Sequence, residues 1–463
     1  MSEPQKKFRL GIPLLGKGAT THLHRKMLIQ AIQKKGVEVC FLVREDYADL
    51  LEPIPGCHYI TYHPPEVSGR ISQKILDFCQ SMRRLYPRKD LFRKWQYRTL
   101  SKSNPSLLGK LFHGFQHRMA GSKQIMKFFG FIEGLIYRSI ESKTHDSFLL
   151  DQLLVLGVGS PIDSLSLPIT WWGLKKGIPV VHFVGNYDSL SSNGFRGHPI
   201  KKVLVWGPNM LRDARDLHGI PEERIQVIGS IRYNDLDSRK KQPREEFFKQ
   251  RGLKATAKTL TFAGFFFEFH YFEIISVFKQ LKKTIENLQL ILRIYPNKRL
   301  LRSPFMELLI EHTENMKDIY ISLADPFYRK GEKDRVVLQI EEEELWDILN
   351  YSDVLVNVFS TIAVEASIFD KPVINMWYFQ KTRGLLKEPV YLDYPLQWHL
   401  QRLMSYGAIK TAVNQEELMN LIRDALLNPP ACREERKKMV EEECGLLDGQ
   451  AAERLVACCL GQT

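Results

Sequence analysis

A chain of 463 residues is too long for a single hydrophobic core, so its length predicts two domains. Its hydrophobic content of 44% and charged content of 26% are ordinary for a soluble globular protein and exclude disordered and fibrous classes. No apolar run reaches the ~20 residues of a membrane-spanning helix, and the first residues lack the apolar core of a signal peptide; we therefore expect a cytoplasmic protein.

The net charge of +13 is concentrated in one segment. Residues 66–146 contain sixteen Lys and Arg against six Asp and Glu, with aromatic and aliphatic residues between them. A basic, amphipathic segment is typical of a surface that meets anionic lipid, and we expect peripheral attachment to the inner face of the cell membrane. A helical insertion with a solvated basic face is the alternative. Nucleic acid is disfavoured because no recognition motif accompanies the charge.

The chain opens with a Rossmann-type pattern. Phe8–Leu15 reads as a buried strand, Gly16–Gly18 as a tight loop, Thr20–Lys35 as an amphipathic helix and Gly36–Val43 as a second strand. The glycine spacing does not fit GxGxxG, so no nicotinamide site is predicted. The seven cysteines form an odd set without CxxC spacing, which argues against both disulfides and zinc.

The sheet resumes after the basic segment. Leu153–Val158 and Gly177–Val184 read as strands, with a helix over Trp171–Lys176 between them. The following stretch, Gly185–Gly194, is too polar and glycine-rich for a helix or strand, so we predict a loop. We place an interdomain linker at Asp235–Glu246 because that stretch is polar and contains proline.

The second domain shows its own alternation of strands and helices. Thr259–Gly264 and Leu288–Pro296 read as strands, and 341–349 as a helix with an acidic start. Tyr351–Ile374 then predicts a βαβ unit in which a polar turn, Phe359-Ser360-Thr361, precedes a helix with Glu365. Unpaired N–H groups and the helix dipole suit such a turn to phosphate, although an ordinary capped helix start has the same pattern.

The Tyr351–Ile374 stretch resembles the donor-binding segment of GT-B glycosyltransferases. In that superfamily a serine-glycine-threonine turn grips the nucleotide diphosphate and a following glutamate binds the ribose. The resemblance therefore implies donor roles for Ser360, Thr361 and Glu365. Glycine is absent from the turn and from Asp370-Lys371-Pro372-Val373, which matches a Gly-Lys-Pro-Val motif. Asn357 stands where one retaining group has a second glutamate, so the stereochemistry stays open.

The same resemblance implies further site residues. Gly264 lies where the backbone approaches the donor phosphates, and Arg293 faces either a diphosphate or a neighbouring carboxylate. In the first domain, GT-B enzymes often place an acceptor-activating base after the first strand, where His22 and His24 lie. Asp163, after the strand Leu153–Val158, is the third candidate base. No DxD-type metal motif is evident, so we predict metal independence and no cofactor.

A narrower resemblance involves a group of bacterial GT-B proteins of surface carbohydrate synthesis. Its Trp-Asp-Asn-Leu loop is similar to Gly185–Gly194, and its later motifs are similar to Val205–Gly207, His218–Pro221 and Arg224–Gly229, in the same order. The loop residues Asn186, Asp188 and Asn193 are then expected on the acceptor side, either contacting the acceptor or satisfying the loop backbone.

These observations predict two Rossmann-like domains that face each other across a cleft, in the GT-B arrangement. We expect an acceptor domain at 1–235 with the basic helical insertion, a donor domain at 245–430 and a helical segment at 431–463. The predicted activity is sugar transfer from a nucleotide sugar to a cell-surface glycan or lipid-linked acceptor, as in polysaccharide or lipopolysaccharide synthesis. The alternatives are a CDP-glycerol-type polyol-phosphate transferase, a nucleotide-sugar 2-epimerase and a non-catalytic glycan- or lipid-binding module.

Overall fold

A computed structural model describes most of the chain. The residues described are 7–14, 26–44, 54–63, 67, 69–84, 86, 115, 118–119, 121–140, 149–158, 166–192, 199–236, 239, 241–264, 268–294, 304–323, 338–378 and 397–462. They form two compact units. The first comprises Met1–Ser238, Val390–His399 and Glu441–Thr463, and the second comprises Arg239–Pro389 and Leu400–Val440.

The first unit is built on a seven-stranded sheet in the order β3-β2-β1-β4-β5-β6-β7. Its strands are β1 (Arg9–Leu14), β2 (Glu38–Arg44), β3 (Cys57–Tyr62), β4 (Gln152–Val158), β5 (Val180–Val184), β6 (Lys202–Val205) and β7 (Ile225–Val227). Every pairing in it is parallel. Apolar side chains fill the central strands because both faces of a doubly wound sheet are covered by helices.

The helices of the first unit are α1 (Lys26–Lys34), α2 (Arg70–Arg84), α3 (Lys123–Ser139), α4 (Ser166–Lys175), α5 (Ser189–Ser192) and α6 (Pro208–Asp216). The prediction that Gly185–Gly194 lacks regular structure is wrong at α5. There the backbone N–H groups of Ser191 and Ser192 donate to the Asp188 carbonyl, which closes one helical turn.

The second unit contains a six-stranded parallel sheet in the order β10-β9-β8-β11-β12-β13. Its strands are β8 (Lys258–Ala263), β9 (Leu288–Ile294), β10 (Ile319–Leu323), β11 (Val354–Asn357), β12 (Val373–Met376) and β13 (Ile409–Ala412). This is the strand order of a doubly wound Rossmann sheet, so the prediction of two Rossmann-like domains is confirmed. The core of the unit lies between this sheet and its helices.

The remaining helices are α7 (Arg244–Gln250), α8 (Glu268–Leu281), α9 (Phe305–Thr313), α10 (Leu338–Tyr351), α11 (Ile362–Ile368), α12 (Trp398–Ser405), α13 (Gln415–Leu427), α14 (Arg433–Cys444) and α15 (Ala451–Cys459). The predicted linker is too long at its end, because α7 already begins at Arg244. Pro243 at its N-cap and the acids Glu245 and Glu246 in its first turn favour that start. Helix α15 packs against α1 of the first unit.

Two helices of the basic insertion, α2 and α3, are joined by a buried ion pair. Arg83 on α2 and Glu133 on α3 approach to 2.6 Å, and both side chains are fully buried. The Trp171 indole of α4 donates to the same Glu133 oxygen at 3.1 Å. Gly134 leaves room for that ring, since a Cβ there would lie 2.5 Å from it. Helix α3 is thereby fixed to the first unit along its buried face.

We predict that Glu133→Ala lowers the free energy of unfolding by about 3–5 kcal/mol, measured by urea denaturation. Removing one member of a buried pair leaves the other charge in a medium that solvates it poorly. The matched control is Asp318→Ala, which breaks the half-exposed pair with Lys282 and should cost only about 0–1 kcal/mol. Equal losses in the two variants would contradict a structural role for the buried pair.

Candidate functional site

The strand order of the second unit reverses between β8 and β11. In open parallel sheets the crevice for a ligand lies outside the carboxyl ends of the strands at such a switch point. Chain segments leaving β8 at Ala263 and β11 at Asn357 border this place, and the two residues are register partners. The predicted donor residues all lie at or shortly beyond the ends of β8, β9 and β11.

Polar side chains form one row across this edge of the sheet. The register pairs Ser322 with Arg293, Arg293 with Ala263, Ala263 with Asn357, Asn357 with Asn375, and Asn375 with Thr411. The row is polar on five of the six strands, with Ala263 as its member on β8. It lies at or one residue before the strand ends, on the sheet face opposite the main core of the unit.

Asn357 occupies the centre of that row and is fully buried. Its Oδ1 accepts a hydrogen bond from the Ser360 backbone N–H at 2.9 Å, which fixes the turn after β11. Its Nδ2 has no hydrogen-bond partner in the described part of the chain. Buried donors without partners are rare in native proteins, so we expect a ligand or a water molecule to accept from this amide.

One more buried polar atom without a partner among the described residues lies beside Asn357: Oδ1 of Asn375, its register partner on β12. Glu273 of α8 and Tyr378 beyond β12 contact each other on the opposite face of the sheet. Burial raises the pKa of Glu273, and the nearby Tyr378 hydroxyl partly offsets that rise. Burial and the Glu273 carboxylate raise the pKa of Tyr378. Sequence reasoning missed Asn375, because only the register between β11 and β12 brings it beside Asn357.

Ser360 and Thr361 lie in the turn between β11 and α11, as predicted, and both are half-buried. Thr361 is the N-cap residue but makes no side-chain capping bond, so its hydroxyl is not used by the helix. Phe359 before them has φ of 45°, an unusual left-handed conformation for a large side chain. Its ring is buried and packs edge-on against Trp377 at 5.0 Å. Packing of this kind is needed to hold a strained turn.

Glu365 lies in the first turn of α11 and is only 4% exposed. It is buried because α11 is covered over six consecutive residues, Ile362 to Ser367, so Glu365→Ala would also disturb the packing. A conservative Glu365→Gln substitution is the appropriate probe of any ribose contact.

Gly264 follows β8, and its described surroundings explain the glycine. A Cβ at this position would lie 2.2 Å from Cζ of Tyr271, a fully buried side chain of α8. The glycine thus allows α8 to pack close to the strand end. Its implied approach to the donor phosphates stays a prediction.

Arg293 faces a carboxylate, one of the two environments expected for it. Its guanidinium donates to the Ser322 hydroxyl at 2.7 Å and to Glu344 of α10 at 3.3 Å. Burial raises the pKa of Glu344, but the Tyr320 hydroxyl and the guanidinium groups of Arg293 and Arg251 outweigh it and hold the pKa below its usual value. Arg293 is nearly buried in this network, and a donor role for it stays a prediction.

Asp370 ends the α11 segment at a position where the resembling motif has glycine. Its φ is 53°, in the left-handed region that glycine tolerates best. The carboxylate accepts from Arg433 at 2.7 Å and from Nε and a terminal nitrogen of Arg436 at 2.9 and 2.7 Å. Arg436 is almost fully buried, so Asp370 supplies its counter-charge.

In the first unit, the loop after β5 contains the predicted Asn186 and Asp188. Asn186 accepts from the Tyr187 N–H at 3.1 Å. The Asp188 carboxylate accepts weakly from the Ser192 hydroxyl at 3.4 Å and lies 4.0 Å from Nε2 of His399. His399 was not predicted, because it lies more than two hundred residues beyond Asp188 in the chain.

The ordered motifs of the narrower resemblance brace this loop. Trp206 is fully buried and donates from its indole to the Val184 carbonyl at 2.8 Å, at the end of β5. The His218 ring lies 2.7 Å from the Leu190 carbonyl inside α5. These two contacts give the Val-Trp and His-Gly-Ile-Pro motifs a structural role in holding the loop.

His22, His24, Asp163 and Asn193 lie outside the described residues. The strands before them are described: β1 ends at Leu14 and β4 at Val158, and the two strands pair in parallel at the order reversal of the first sheet. His22 and Asp163 therefore belong to segments that leave neighbouring strand ends. Their catalytic roles stay predictions.

No group of three or more His, Cys, Asp or Glu side chains among the described residues is placed to hold a metal ion. No helix in the described ranges is long and apolar enough to cross a membrane. All seven cysteines are free thiols.

Comparison with known proteins supports this architecture. Residues 320–460 match the CDP-Glycerol:Poly(glycerophosphate) glycerophosphotransferase family, while no curated protein matches the chain. The UDP-GlcNAc 2-epimerase from Methanocaldococcus jannaschii is similar in structure, with a TM-score of 0.52, 14% identity and coverage of 98% of this chain and 100% of the other. The wall teichoic acid polymerase TagF has a TM-score of 0.50, 9% identity and coverage of 98% and 89%. The fold is that of GT-B enzymes.

We predict that Asp370→Asn lowers the free energy of unfolding by about 1–3 kcal/mol in urea. Asparagine tolerates the left-handed conformation, so the loss isolates the counter-charge of Arg436. The value is below that of a fully buried pair because the Asp370 side chain is 40% exposed. Asp448→Asn is the control: Asp448 is equally exposed, but its partner Arg454 is not buried, and the cost should stay under about 1 kcal/mol.

Proposed function

We propose that this protein transfers an activated group from a nucleotide diphosphate donor to a hydroxyl of a cell-surface polymer or its lipid-linked precursor. The observation behind the proposal is the buried pair Asn357 and Asn375 at the switch point of the second sheet, where Nδ2 of the first and Oδ1 of the second have no partner among the described residues. The pair combines a donor with an acceptor, which suits a ligand that has both phosphate oxygens and hydroxyl groups.

The leading candidate for the transferred group is a polyol phosphate of the glycerol phosphate type. The family match favours it, because residues 320–460 include Asn357, Ser360, Thr361, Glu365 and Asn375. In this reaction the acceptor oxygen attacks the donor's outer phosphorus and the bond to the inner phosphate breaks. The leaving group is the nucleoside monophosphate, and the acceptor proton passes to a base.

Sugar transfer is the second candidate, favoured by the ordered surface-carbohydrate motifs that brace the loop after β5. Here the acceptor oxygen attacks the anomeric carbon and the sugar–phosphate bond breaks, so the leaving group is the nucleoside diphosphate. Both reactions need hydrogen-bond donors to the leaving phosphate, a role that we assign to Asn357 Nδ2 and to the Ser360 and Thr361 hydroxyls.

The released nucleotide distinguishes the two candidates. We expect CDP-glycerol to raise the melting temperature and to yield CMP when an acceptor polymer is supplied, because bound ligand stabilises the native state. Release of a nucleoside diphosphate from a nucleotide sugar would establish sugar transfer instead. If no nucleotide donor raises the melting temperature or is consumed, the proposal fails.

We predict that Asn357→Asp weakens nucleotide diphosphate binding about 10- to 100-fold in calorimetric titration. The new carboxylate keeps an acceptor for the Ser360 N–H but replaces the Nδ2 donor with an oxygen that repels phosphate. Asn420→Asp, at an exposed position on α13, makes the same charge change in the same unit. This control variant should bind like wild type. Unchanged affinity in a folded Asn357→Asp protein would remove this amide from the site.

We predict that His22 is the base, so that His22→Ala lowers kcat by about 10²- to 10⁴-fold. Donor affinity should stay unchanged, since the donor residues belong to the second unit. His24→Ala is the control, because residues two apart on a helix do not share a face. If His22→Ala retains more than about a tenth of wild-type turnover and His399→Ala does not, the base is associated with the Asp188–His399 pair.

A further inference from the structure

Helix α3 presents an apolar stripe to solvent. Phe128, Phe131 and Leu135 are each exposed by 51–60% and follow one another at helical spacing. Single exposed apolar residues are ordinary, but two adjacent phenylalanines and a leucine on one helix face mark a surface for interaction.

The opposite face of α3 already satisfies the needs of folding. Met126, Phe129, Gly130, Glu133, Gly134 and Tyr137 are buried, and the Arg83–Glu133 pair and Trp171 fix the helix. The exposed stripe is thus held rigidly and is not an alternative packing face for α2 or α4. A pre-ordered surface loses little conformational entropy on binding.

An open apolar cavity of 510 Å³ adjoins the stripe. Phe128 belongs to both the stripe and the cavity lining. The other lining residues are Phe78, Phe115, Met119, Ile125 and Phe129, with Gln124 the single polar member. A groove of this chemistry accepts a hydrocarbon chain and offers almost nothing to a polar peptide.

Among the described residues, the charge beside the stripe is mainly positive. Lys127 and Arg138 are exposed on α3 along one flank of the stripe, and the helix's only acid, Glu133, is buried in its ion pair. Arg70 and Lys74 on the neighbouring α2 are also exposed, against a single exposed acid, Asp77. Aromatic residues flanked by cations suit the boundary between acyl chains and anionic headgroups.

We propose that α3 docks the protein on an anionic lipid bilayer, with Phe128, Phe131 and Leu135 inserted at headgroup depth. Lys127 and Arg138 contact lipid phosphates, and the adjoining cavity takes one acyl chain. The proposal does not depend on the transferase proposal, because it concerns a helix of the first unit and no nucleotide-binding residue.

Cosedimentation of the full chain with vesicles tests this. Wild type should bind an equimolar phosphatidylcholine–phosphatidylserine mixture, bind phosphatidylcholine alone weakly, and lose affinity as salt shortens the Debye length to about 8 Å. Lys127→Gln and Arg138→Gln should each weaken binding to the mixture about fivefold. Phe128→Ser with Phe131→Ser should weaken it about tenfold or more, at low and high salt alike.

Matched variants elsewhere serve as controls. Leu308→Ser with Ile310→Ser on α9 removes apolar side chains of similar exposure, 53% and 48%, and Lys249→Gln with Lys254→Gln removes two exposed cations. Both should bind vesicles like wild type. All variants should keep the wild-type melting temperature, because each altered side chain is exposed.

Three results would overturn the proposal. The first is absence of wild-type binding to the mixed vesicles. The second is equal loss of binding in the α3 variants and their controls. The third is a lipid-free dimer, seen by light scattering, that Phe128→Ser with Phe131→Ser converts to monomer, since the stripe would then bind a second copy of the chain.

Discussion

Parallel pairing is the constraint on which the second unit depends. It brings the carboxyl ends of six strands to one edge, and the reversal of order between β8 and β11 separates the helices that would otherwise cover that edge. Polar residues are tolerated there because they lie close to the strand ends, on the sheet face opposite the main core. Asn357 lies at this edge. Its amide oxygen accepts from the turn after β11, and its amide nitrogen has no partner among the described residues.

Helix α11 is bounded by two left-handed residues, neither of them glycine: Phe359 before it and Asp370 after it. Each is stabilised by a different interaction. Phe359 is held by burial against Trp377, and Asp370 by the arginines of α14. The missing glycine of the Gly-Lys-Pro-Val motif therefore does not imply a different backbone at Asp370. The Asp370 carboxylate also neutralises the buried Arg436, which a glycine at this position could not do.

Buried elements were predicted from the sequence more accurately than partly exposed ones. Central strands such as β8 and β9 were predicted closely because both faces are buried and most of their residues are apolar. The edge strands β3 and β13 were missed, since their partly exposed residues give no continuous apolar run. The turn Ser360-Thr361 was found from local pattern alone. Asn375 was not, because strand register brings it beside Asn357, and a local pattern does not contain the register.

The charge of the basic insertion also shows what the sequence alone cannot predict. Sixteen cations between residues 66 and 146 predict an anionic partner, but a count does not locate a surface. Two described groups show why: Arg83 is neutralised in the core, and the Lys123 ammonium donates to the Asp216 carbonyl. What distinguishes α3 is the combination of an exposed aromatic stripe, an adjoining apolar cavity and two cations on one flank. Attraction to a charged surface falls off within a Debye length, whereas inserted apolar side chains are insensitive to screening. The two contributions therefore act at different distances: the cations increase encounter with an anionic surface, and the rigid stripe determines how the protein is held once it arrives.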